Sequence, residues 1–214
     1  MKITIFGANG QIGQLLVSLA LQAGYDVTAY TRRPNALSIE HEKLQIIVGS
    51  LTDREKLKEA IKGRDTILSA LGPAMSMKRQ VVGLPITEAH KAIISVMEEC
   101  GLKRLITLGT PSISAKEDVK QLITVLPSIM PRLFFPTGYA EMKAIEKLLK
   151  NSKLDWTVVR IIDPNAKTNG NGYSISFGDT NGKMSVSRYH AAKCMLDAAV
   201  KDEWIHKMPI VFNN

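Results

Sequence analysis

The chain has 214 residues, of which 45% are hydrophobic and 22% are charged, and these values are ordinary for a globular protein. Its length suits one α/β domain with a substantial core, and no run approaches the roughly 20 apolar residues of a membrane span. The formal net charge is +8, but the basic residues are scattered and aromatic residues make up only 6%. We therefore expect neither a nucleic-acid nor a membrane partner, and we favour a small anionic ligand.

Strand-like apolar runs alternate with helical patterns, which is typical of a parallel sheet with helices on both faces. The predicted strands are Lys2–Phe6, Val27–Thr31, Leu44–Val48, Thr66–Ala70, Arg104–Leu108 and Asp155–Ile161. The predicted helices are Gln11–Ala23, Arg54–Lys62, Thr87–Cys100, Ala140–Lys150 and a stretch from a Ser187 cap to Val200. This pattern predicts a single Rossmann-type domain over residues 1–214, a three-layer αβα fold with a doubly wound parallel sheet of order 3-2-1-4-5-6.

Two stretches depart from this alternation. Turn sequences bracket Tyr173–Phe177, which predicts a small hairpin, and Pro209–Phe212 is a possible seventh strand. Four prolines interrupt the apolar segment Pro111–Pro136. For that segment we expect a short helix flanked by loops at the carboxyl edge of the sheet.

The cysteines and the chain start bear on location. Cys100 and Cys194 lie far apart within helical patterns, where buried thiols are the ordinary expectation. No signal peptide precedes the first strand, so we expect a cytoplasmic protein in a reducing compartment. The cysteine and histidine spacings predict no metal site.

The segment Gly7–Gly13 (Gly-Ala-Asn-Gly-Gln-Ile-Gly) stands where the first strand becomes the first helix. Gly7 lets the chain turn off the strand, Gly10 leaves space for a pyrophosphate, and Gly13 lets the helix pack close to the sheet. Free N–H groups and the helix dipole at this N-terminus favour a negative charge. Because the motif follows a strand and begins a βαβ unit, it predicts a dinucleotide site rather than an unliganded turn.

The end of the second strand predicts which dinucleotide binds. An NAD-specific site places an acidic residue there, but Thr31 is followed by Arg32 and Arg33, and Asp26 lies at the other end of the strand. Guanidinium groups bind a phosphate through two parallel hydrogen bonds. The pattern thus favours NADP(H) over NAD(H), although surface arginines without a ligand are the alternative.

Taken in order, six segments resemble the atypical short-chain dehydrogenase/reductase family in its NAD(P)-binding, NmrA-like division, and are similar to flavin reductase/biliverdin-IXβ reductase-like proteins. They are Gly7–Gly13, Tyr30–Pro34, Gly49–Asp53, Asp65–Gly72, Gly101–Gly109 and Leu154–Arg160. The resemblance implies that Asp53 contacts the adenine, that Ala70-Leu71-Gly72 runs beside the cofactor, and that residues after the fifth strand face the nicotinamide. Where relatives carry Ser-Arg-x-Asp, this chain has His190 in place of the aspartate, which puts that acid's role in doubt here.

The candidate cofactor-binding residues come from the glycine loop, the ends of the strands and the segments just named. They are Gly7, Asn9, Gly10, Gln11, Ile12, Gly13, Thr31, Arg32, Arg33, Ser50, Leu51, Asp53, Ala70, Leu71, Gly72 and Ile162.

A Tyr-x-x-x-Lys spacing supplies candidate catalytic residues. It puts Tyr139 and Lys143 on one face of a helix, where an ammonium stabilises a phenolate and the phenol passes a proton to a carbonyl oxygen. Thr110 and Ser112 follow the fifth strand, where short-chain dehydrogenases carry a hydroxyl that orients the substrate. The alternative is that the pair forms the solvated border of an apolar helix face, because flavin and tetrapyrrole acceptors take protons from solvent.

Two functions follow. The first is an NADPH-dependent oxidoreductase that transfers hydride to a flavin, a quinone or a carbonyl compound. Its acceptor crevice is walled by Gly72–Met77, Thr110–Ser112, the Pro111–Pro136 segment and Asp163–Asn165. The second is a non-catalytic, NmrA-like NADP(H) sensor, which a Tyr-Lys pair pointing to solvent would favour. We expect a monomer or a homodimer.

Overall fold

The computed structural model describes residues 1–73, 83–166 and 172–214. Its strands are β1 Lys2–Phe6, β2 Asp26–Thr31, β3 Leu44–Val48, β4 Thr66–Ser69, β5 Arg104–Gly109, β6 Asp155–Ile161, β7 Pro164–Asn165, β8 Tyr173–Ser176, β9 Val186–Ser187 and β10 Ile210–Asn213. Its helices are α1 Gln11–Gln22, α2 Arg54–Ile61, α3 Pro85–Glu99, α4 Leu122–Phe134, α5 Pro136–Asn151 and α6 Arg188–Ala198.

The main sheet has eight strands in the order β3-β2-β1-β4-β5-β6-β10-β8. The predicted order 3-2-1-4-5-6 is confirmed, and β10 is the expected seventh strand, parallel to β6. The hairpin expected at Tyr173–Phe177 is wrong, because β8 pairs antiparallel with β10 across the intervening α6. The free edge of β10 offers unpaired backbone groups, and pairing with β8 satisfies them.

Alternate residues of the central strands enter two separate apolar clusters, one on each face of the sheet. Ile67 and Leu105 belong to the cluster that includes α2, α3 and α5, whereas Leu68 and Ile106 belong to the cluster that includes α1 and α6. Successive strand side chains point to opposite faces, so a sheet buried on both faces needs apolar residues at both phases. The expected three layers follow directly.

The segment Pro111–Pro136 differs from its prediction. α4 runs for 13 residues with two of the prolines inside it, and a single residue, Phe135, separates it from α5. A capping box between Gln121 and Thr124 stabilises its first turn, which offsets part of the cost of the lost backbone donors. α5 starts four residues earlier than expected because Pro136 occupies its first helical position, where proline is favoured.

Among the described residues, the helices are too short or too polar to traverse a bilayer.

Candidate functional site

The glycine loop lies directly against the end of β4. Gly7 has φ +74°, and a Cβ added there would lie 2.9 Å from the backbone carbonyl of Ala70. A Cβ on Gly13 would lie 2.1 Å from the oxygen of Gly7. Both positions therefore exclude any side chain, so the loop, the first turn of α1 and the end of β4 form one tightly packed unit.

In the described structure, no side chain caps the N-terminus of α1. Gly10 is its N-cap residue, and its first turn carries no acidic residue. In contrast, Asp53 caps α2 through Lys56 N at 3.1 Å, and Ser187 caps α6 through His190 N at 3.0 Å. Among the described residues, a Cβ on Gly10 would meet only the oxygen of Gly7, at 3.3 Å, so little else occupies the space beside this N-cap position. This arrangement fits a pyrophosphate.

The end of β2 presents its two arginines to solvent. Arg32 and Arg33 are exposed, and neither is in an ion pair with another described residue. Thr31 is buried, and its hydroxyl donates to the carbonyl of Arg33 at 3.1 Å, which orders the turn that carries both guanidinium groups. They are thus available to an anionic ligand.

The neighbouring loop, residues 49–53, is anchored from below by Tyr30. The Tyr30 hydroxyl donates to the carbonyl of Ser50 at 2.7 Å, and burial raises the pKa of Tyr30 to about 12, so the phenol stays a donor. A Cβ on Gly49 would lie 2.4 Å from that hydroxyl. Leu51 is half-buried, while Asp53 is exposed and its carboxylate caps α2. The implied adenine contact of Asp53 stays a prediction.

The first turn of α5 lies against the segment that follows β4. A Cβ on Gly138 would lie 3.5 Å from the ring of Pro73, the residue directly after Ala70-Leu71-Gly72. Tyr139 is half-buried in this turn. The glycine loop and the turn that carries Tyr139 therefore both lie close to the segment that ends β4.

Lys143 is engaged by a carboxylate rather than by the phenol. It forms an ion pair with Glu146, which also accepts from Lys150 at 2.6 Å. Burial alone would raise the pKa of Glu146, but the hydrogen bonds from the two lysines outweigh it and lower that pKa. No hydrogen bond joins Tyr139 to Lys143 in the part of the chain that the structure describes.

Thr110 and Ser112 lie together in the turn after β5. The amide of Ser112 donates to the Thr110 hydroxyl at 3.4 Å. The Ser112 side chain is 2% exposed, and its hydroxyl has no hydrogen-bond partner among the described residues. A buried hydroxyl without a partner is costly, so a ligand that bonds to it would recover free energy.

This turn is braced by a buried ion pair. Arg160 on β6 is fully buried and donates to both carboxylate oxygens of Asp118, at 2.7 and 2.8 Å. It also donates to the carbonyls of Ile113 and Met208. A two-point pair with a planar guanidinium fixes orientation as well as distance, so the chain between β5 and α4 is tied to the sheet.

Glu141 joins α5 to α3. Its carboxylate is 1% exposed and accepts from the amides of Ile86 at 2.9 Å and Thr87 at 2.7 Å, and from the Thr87 hydroxyl. The N-cap residue of α3, Leu84, cannot cap it, so the helix takes its cap from a neighbouring helix. The negative charge also lies at the positive end of the α3 dipole.

A buried histidine links α3 to the ends of β4 and β5. His90 Nδ1 donates to the carbonyl of Ile86 at 2.9 Å, which leaves Nε2 as the acceptor near the hydroxyls of Ser69 at 3.1 Å and Thr107 at 3.0 Å. Burial lowers the pKa of His90 from its model-peptide range near 6.5, so the ring is neutral at pH 7.

His90 makes a prediction about pH dependence. The unfolded chain binds a proton at this position near pH 6.5, whereas the folded chain binds it only at lower pH, so stability falls as the pH drops below about 6.5. One such proton contributes about 1.4 kcal/mol per pH unit to the free energy of unfolding. His90→Gln should lose this slope in urea titrations. His41→Gln in an exposed loop should keep it, and parallel curves for wild type and His90→Gln would contradict the assignment.

The structure describes only part of the other segments that we predicted to line the acceptor crevice. Residues 74–77 of the Gly72–Met77 segment lie outside the described residues. Ile162 is half-buried just after β6, and Asp163 has φ +42° at the turn into β7. His190 donates through Nδ1 to the Asn213 side chain at 2.8 Å, so a histidine–asparagine pair occupies the position of the relatives' aspartate.

Sequence reasoning missed Glu141, His90 and the Arg160–Asp118 pair, each of which positions the elements of the site. None belongs to a local motif. Glu141 and Arg160 have partners 55 and 42 residues away in sequence, and His90 on α3 has a partner on β5. One signal was present for Glu141: α3 begins Leu84-Pro85 with no residue able to cap it.

Several known proteins are similar to this chain. An uncharacterised Bacillus subtilis protein, YwnB, is 26% identical over 79% of this chain and 77% of its own length. Mouse sterol-4-alpha-carboxylate 3-dehydrogenase, decarboxylating, is 25% identical over 68% of this chain, but the match spans only 39% of that enzyme. The fold matches a Veillonella parvula short-chain dehydrogenase/reductase in complex with NADP, with a TM-score of 0.77, 21% identity and coverage of 99% of this chain and 94% of that one.

The fold also matches ChuY, an anaerobillin reductase from Escherichia coli O157:H7, with a TM-score of 0.76 and 18% identity over 100% of this chain and 97% of that chain. At this identity the two structures establish the shared Rossmann-type fold. The family model described as NAD(P)H-binding matches residues 7–202, from the first glycine of the loop to beyond α6. The predicted cofactor class is thereby confirmed, and the chain belongs to the NAD(P)H-binding family.

Proposed function

We propose that this protein is an NADPH-dependent oxidoreductase that reduces a small organic acceptor at the carboxyl edge of its sheet. The observation that carries the proposal is that Gly7 lies close to Ala70 and that Gly138 lies close to Pro73, three residues further along the chain. It brings the N-terminus of α1 and the turn with Tyr139 close to the same segment at the end of β4. A dinucleotide bound at the first would lie across the carboxyl ends of the strands, with its other end towards the second.

In this proposal, one set of residues binds the cofactor and another acts on the acceptor. The amides of α1 bind the pyrophosphate, and Arg32 and Arg33 bind the 2′-phosphate. Thr110 and the Ser112 hydroxyl, which has no partner among the described residues, orient the acceptor. Tyr139 donates a proton to the acceptor oxygen as that oxygen gains electron density. When bound, NADPH supplies the hydride, so hydride and proton together reduce one carbonyl to an alcohol.

Similar proteins support a reductase or dehydrogenase in general terms. They include the sterol dehydrogenase and anaerobillin reductase above, and a cinnamoyl-CoA reductase of Arabidopsis thaliana that is 30% identical over 53% of this chain. Their substrates differ widely, and the chain spans 34% to 39% of the lengths of the sterol and cinnamoyl-CoA enzymes. We therefore propose the reaction class and leave open whether the acceptor is a flavin, a quinone or a carbonyl compound.

One observation favours the alternative, an NADP(H) sensor without turnover. Lys143 is held by Glu146, and in that position it does not assist the Tyr139 phenol. A sensor would bind NADPH but would not oxidise it, whichever acceptor is offered, so measurements of binding and of turnover separate the two functions.

The direct test follows NADPH and NADH oxidation against flavins, quinones, aldehydes and biliverdin. We expect turnover with at least one class of acceptor, and binding of NADPH about tenfold or more tighter than NADH, because one charge-assisted phosphate contact is worth about 1.5–3 kcal/mol. The double variant Arg32→Ala, Arg33→Ala should erase this difference and leave NADH binding nearly unchanged. Equal affinities in the wild type would refute the role of the arginines, and tight NADPH binding with no turnover would favour the sensor.

A further inference from the structure

α4 exposes a continuous apolar stripe. Leu122, Leu126, Ile129 and Leu133 are 71%, 41%, 50% and 65% exposed, and their spacing of four, three and four residues puts them on one helix face. Other sides of the helix are used for packing, where Ile123 and Thr124 are buried. The stripe extends over 12 residues, a length of about 18 Å along the axis. Four large apolar side chains in a row are more than a monomer's surface ordinarily leaves in water.

The exposed charges on α4, on α5 and just before α4 are cations, and one exposed carboxylate, Asp179, lies beside them in the loop whose carbonyls accept from Gln121. Residues 119–151, which include α4 and α5, contain five cations and two carboxylates. Both carboxylates are buried and occupied, Glu141 by the N-terminus of α3 and Glu146 by two lysines. Lys120, Arg132 and Lys147 are exposed and have no ion-pair partner among the described residues. The α4–α5 pair therefore complements an anionic partner.

We infer that the α4–α5 pair docks on an anionic membrane surface. A bilayer interface offers an apolar layer that would cover the stripe and anionic headgroups that would pair with the cations at its ends. The inference is independent of the proposed reaction. It revises the expectation from composition that the chain has no membrane partner, because the exposure of α4 is a property of the folded chain.

A second copy of the chain fits this surface less well. A symmetric contact places the same patch on both sides, so Lys120 and Arg132 of one copy would meet the same cations of the other. No free carboxylate of the α4–α5 pair is available to offset that repulsion in the described structure. A nucleic acid supplies phosphates but offers no cover for the apolar stripe.

Vesicle co-sedimentation tests the inference. The wild-type protein should bind vesicles of phosphatidylcholine with phosphatidylglycerol, and bind phosphatidylcholine alone much more weakly. The double variant Leu126→Gln, Ile129→Gln should lower partition into anionic vesicles about tenfold or more, because two side chains no longer leave water. Its matched control is Ile46→Gln with Val200→Gln, which removes two apolar side chains that are 40% and 61% exposed elsewhere. This control should bind like the wild type.

Charge variants complete the test. Lys120→Gln and Arg132→Gln should each weaken binding about fivefold at low salt, and added salt should weaken wild-type binding. Absence of vesicle binding, or equal binding by the wild type and the Leu126–Ile129 variant, would overturn the inference. Light scattering on the same samples tests the alternative that a second copy of the chain covers the stripe. If the wild type is a dimer that does not bind vesicles, and the Leu126–Ile129 variant is a monomer, the stripe is a dimer interface. NADPH affinity is measured in parallel to show whether each variant is folded. A change in NADPH affinity is therefore not counted as a result for or against membrane binding.

Discussion

Gly10→Asp should weaken NADPH binding at least about 100-fold, which corresponds to the loss of two charge-assisted hydrogen bonds of about 1.5 kcal/mol each. Gly10 is the N-cap residue of α1, with φ −74° and ψ 165°, and any side chain can adopt this backbone conformation. An aspartate there would fill space beside this N-cap position and put a carboxylate where the pyrophosphate is expected. Fluorescence titration of bound NADPH measures the effect.

The same substitution should leave the fold intact or stabilise it, and this separates a blocked site from a misfolded protein. Aspartate is among the best N-cap residues, and replacing Gly10 by aspartate should raise the stability of α1 by about 1 kcal/mol or less. We therefore expect the thermal midpoint without cofactor to stay constant or rise while binding is lost. Gln22→Asp adds the same charge at the far end of α1 and should keep NADPH affinity. Wild-type affinity in Gly10→Asp would remove the glycine loop from the site.

Tyr139→Phe should lower kcat for a carbonyl acceptor by about 10²–10⁴-fold, since a positioned acid contributes this much when an alkoxide forms in the transition state. NADPH affinity should hardly change, because the phenol acts on the acceptor. With a flavin or a quinone the loss should be small, since the ring delocalises the incoming charge and solvent supplies the proton. Steady-state rates with both classes of acceptor make the comparison.

The matched control for Tyr139→Phe is Tyr25→Phe, which removes a half-buried phenol hydroxyl at the amino end of β2. It should leave kcat unchanged for every acceptor. Full activity of Tyr139→Phe on a carbonyl substrate would take Tyr139 out of the mechanism. Cofactor placement would then be the main contribution of the protein to the reaction.

Local interactions account for the features that the sequence predicted well. The order of the six central strands follows from the alternation of strands and helices, because crossover connections are short and right-handed. The caps at Asp53 and Ser187 involve residues three apart, and a cap of this kind is visible in any sequence window. The glycine loop likewise depends on backbone geometry over seven residues, so its place and the cofactor class followed from the sequence.

Features that depend on distant partners needed the tertiary structure. β8 pairs with β10 rather than with a neighbour in sequence, and α4 continues through two prolines that predicted an interruption. The placement of the Tyr139 turn depends on Pro73 and on the cap that Glu141 gives to α3, 54 and 55 residues away in sequence.

The sequence by itself determined the Rossmann-type sheet, the glycine loop between β1 and α1, and the arginines after β2, because each is encoded by the periodicity or spacing of neighbouring residues. Only the tertiary structure decided which partner Lys143 takes. It also decided that, among residues 1–73, 83–166 and 172–214, the buried Ser112 hydroxyl has no partner and the apolar face of α4 is uncovered. The physical reason is that burial and pairing are properties of the packed chain. An apolar stripe at helical spacing has the same sequence pattern whether it enters a core or faces solvent.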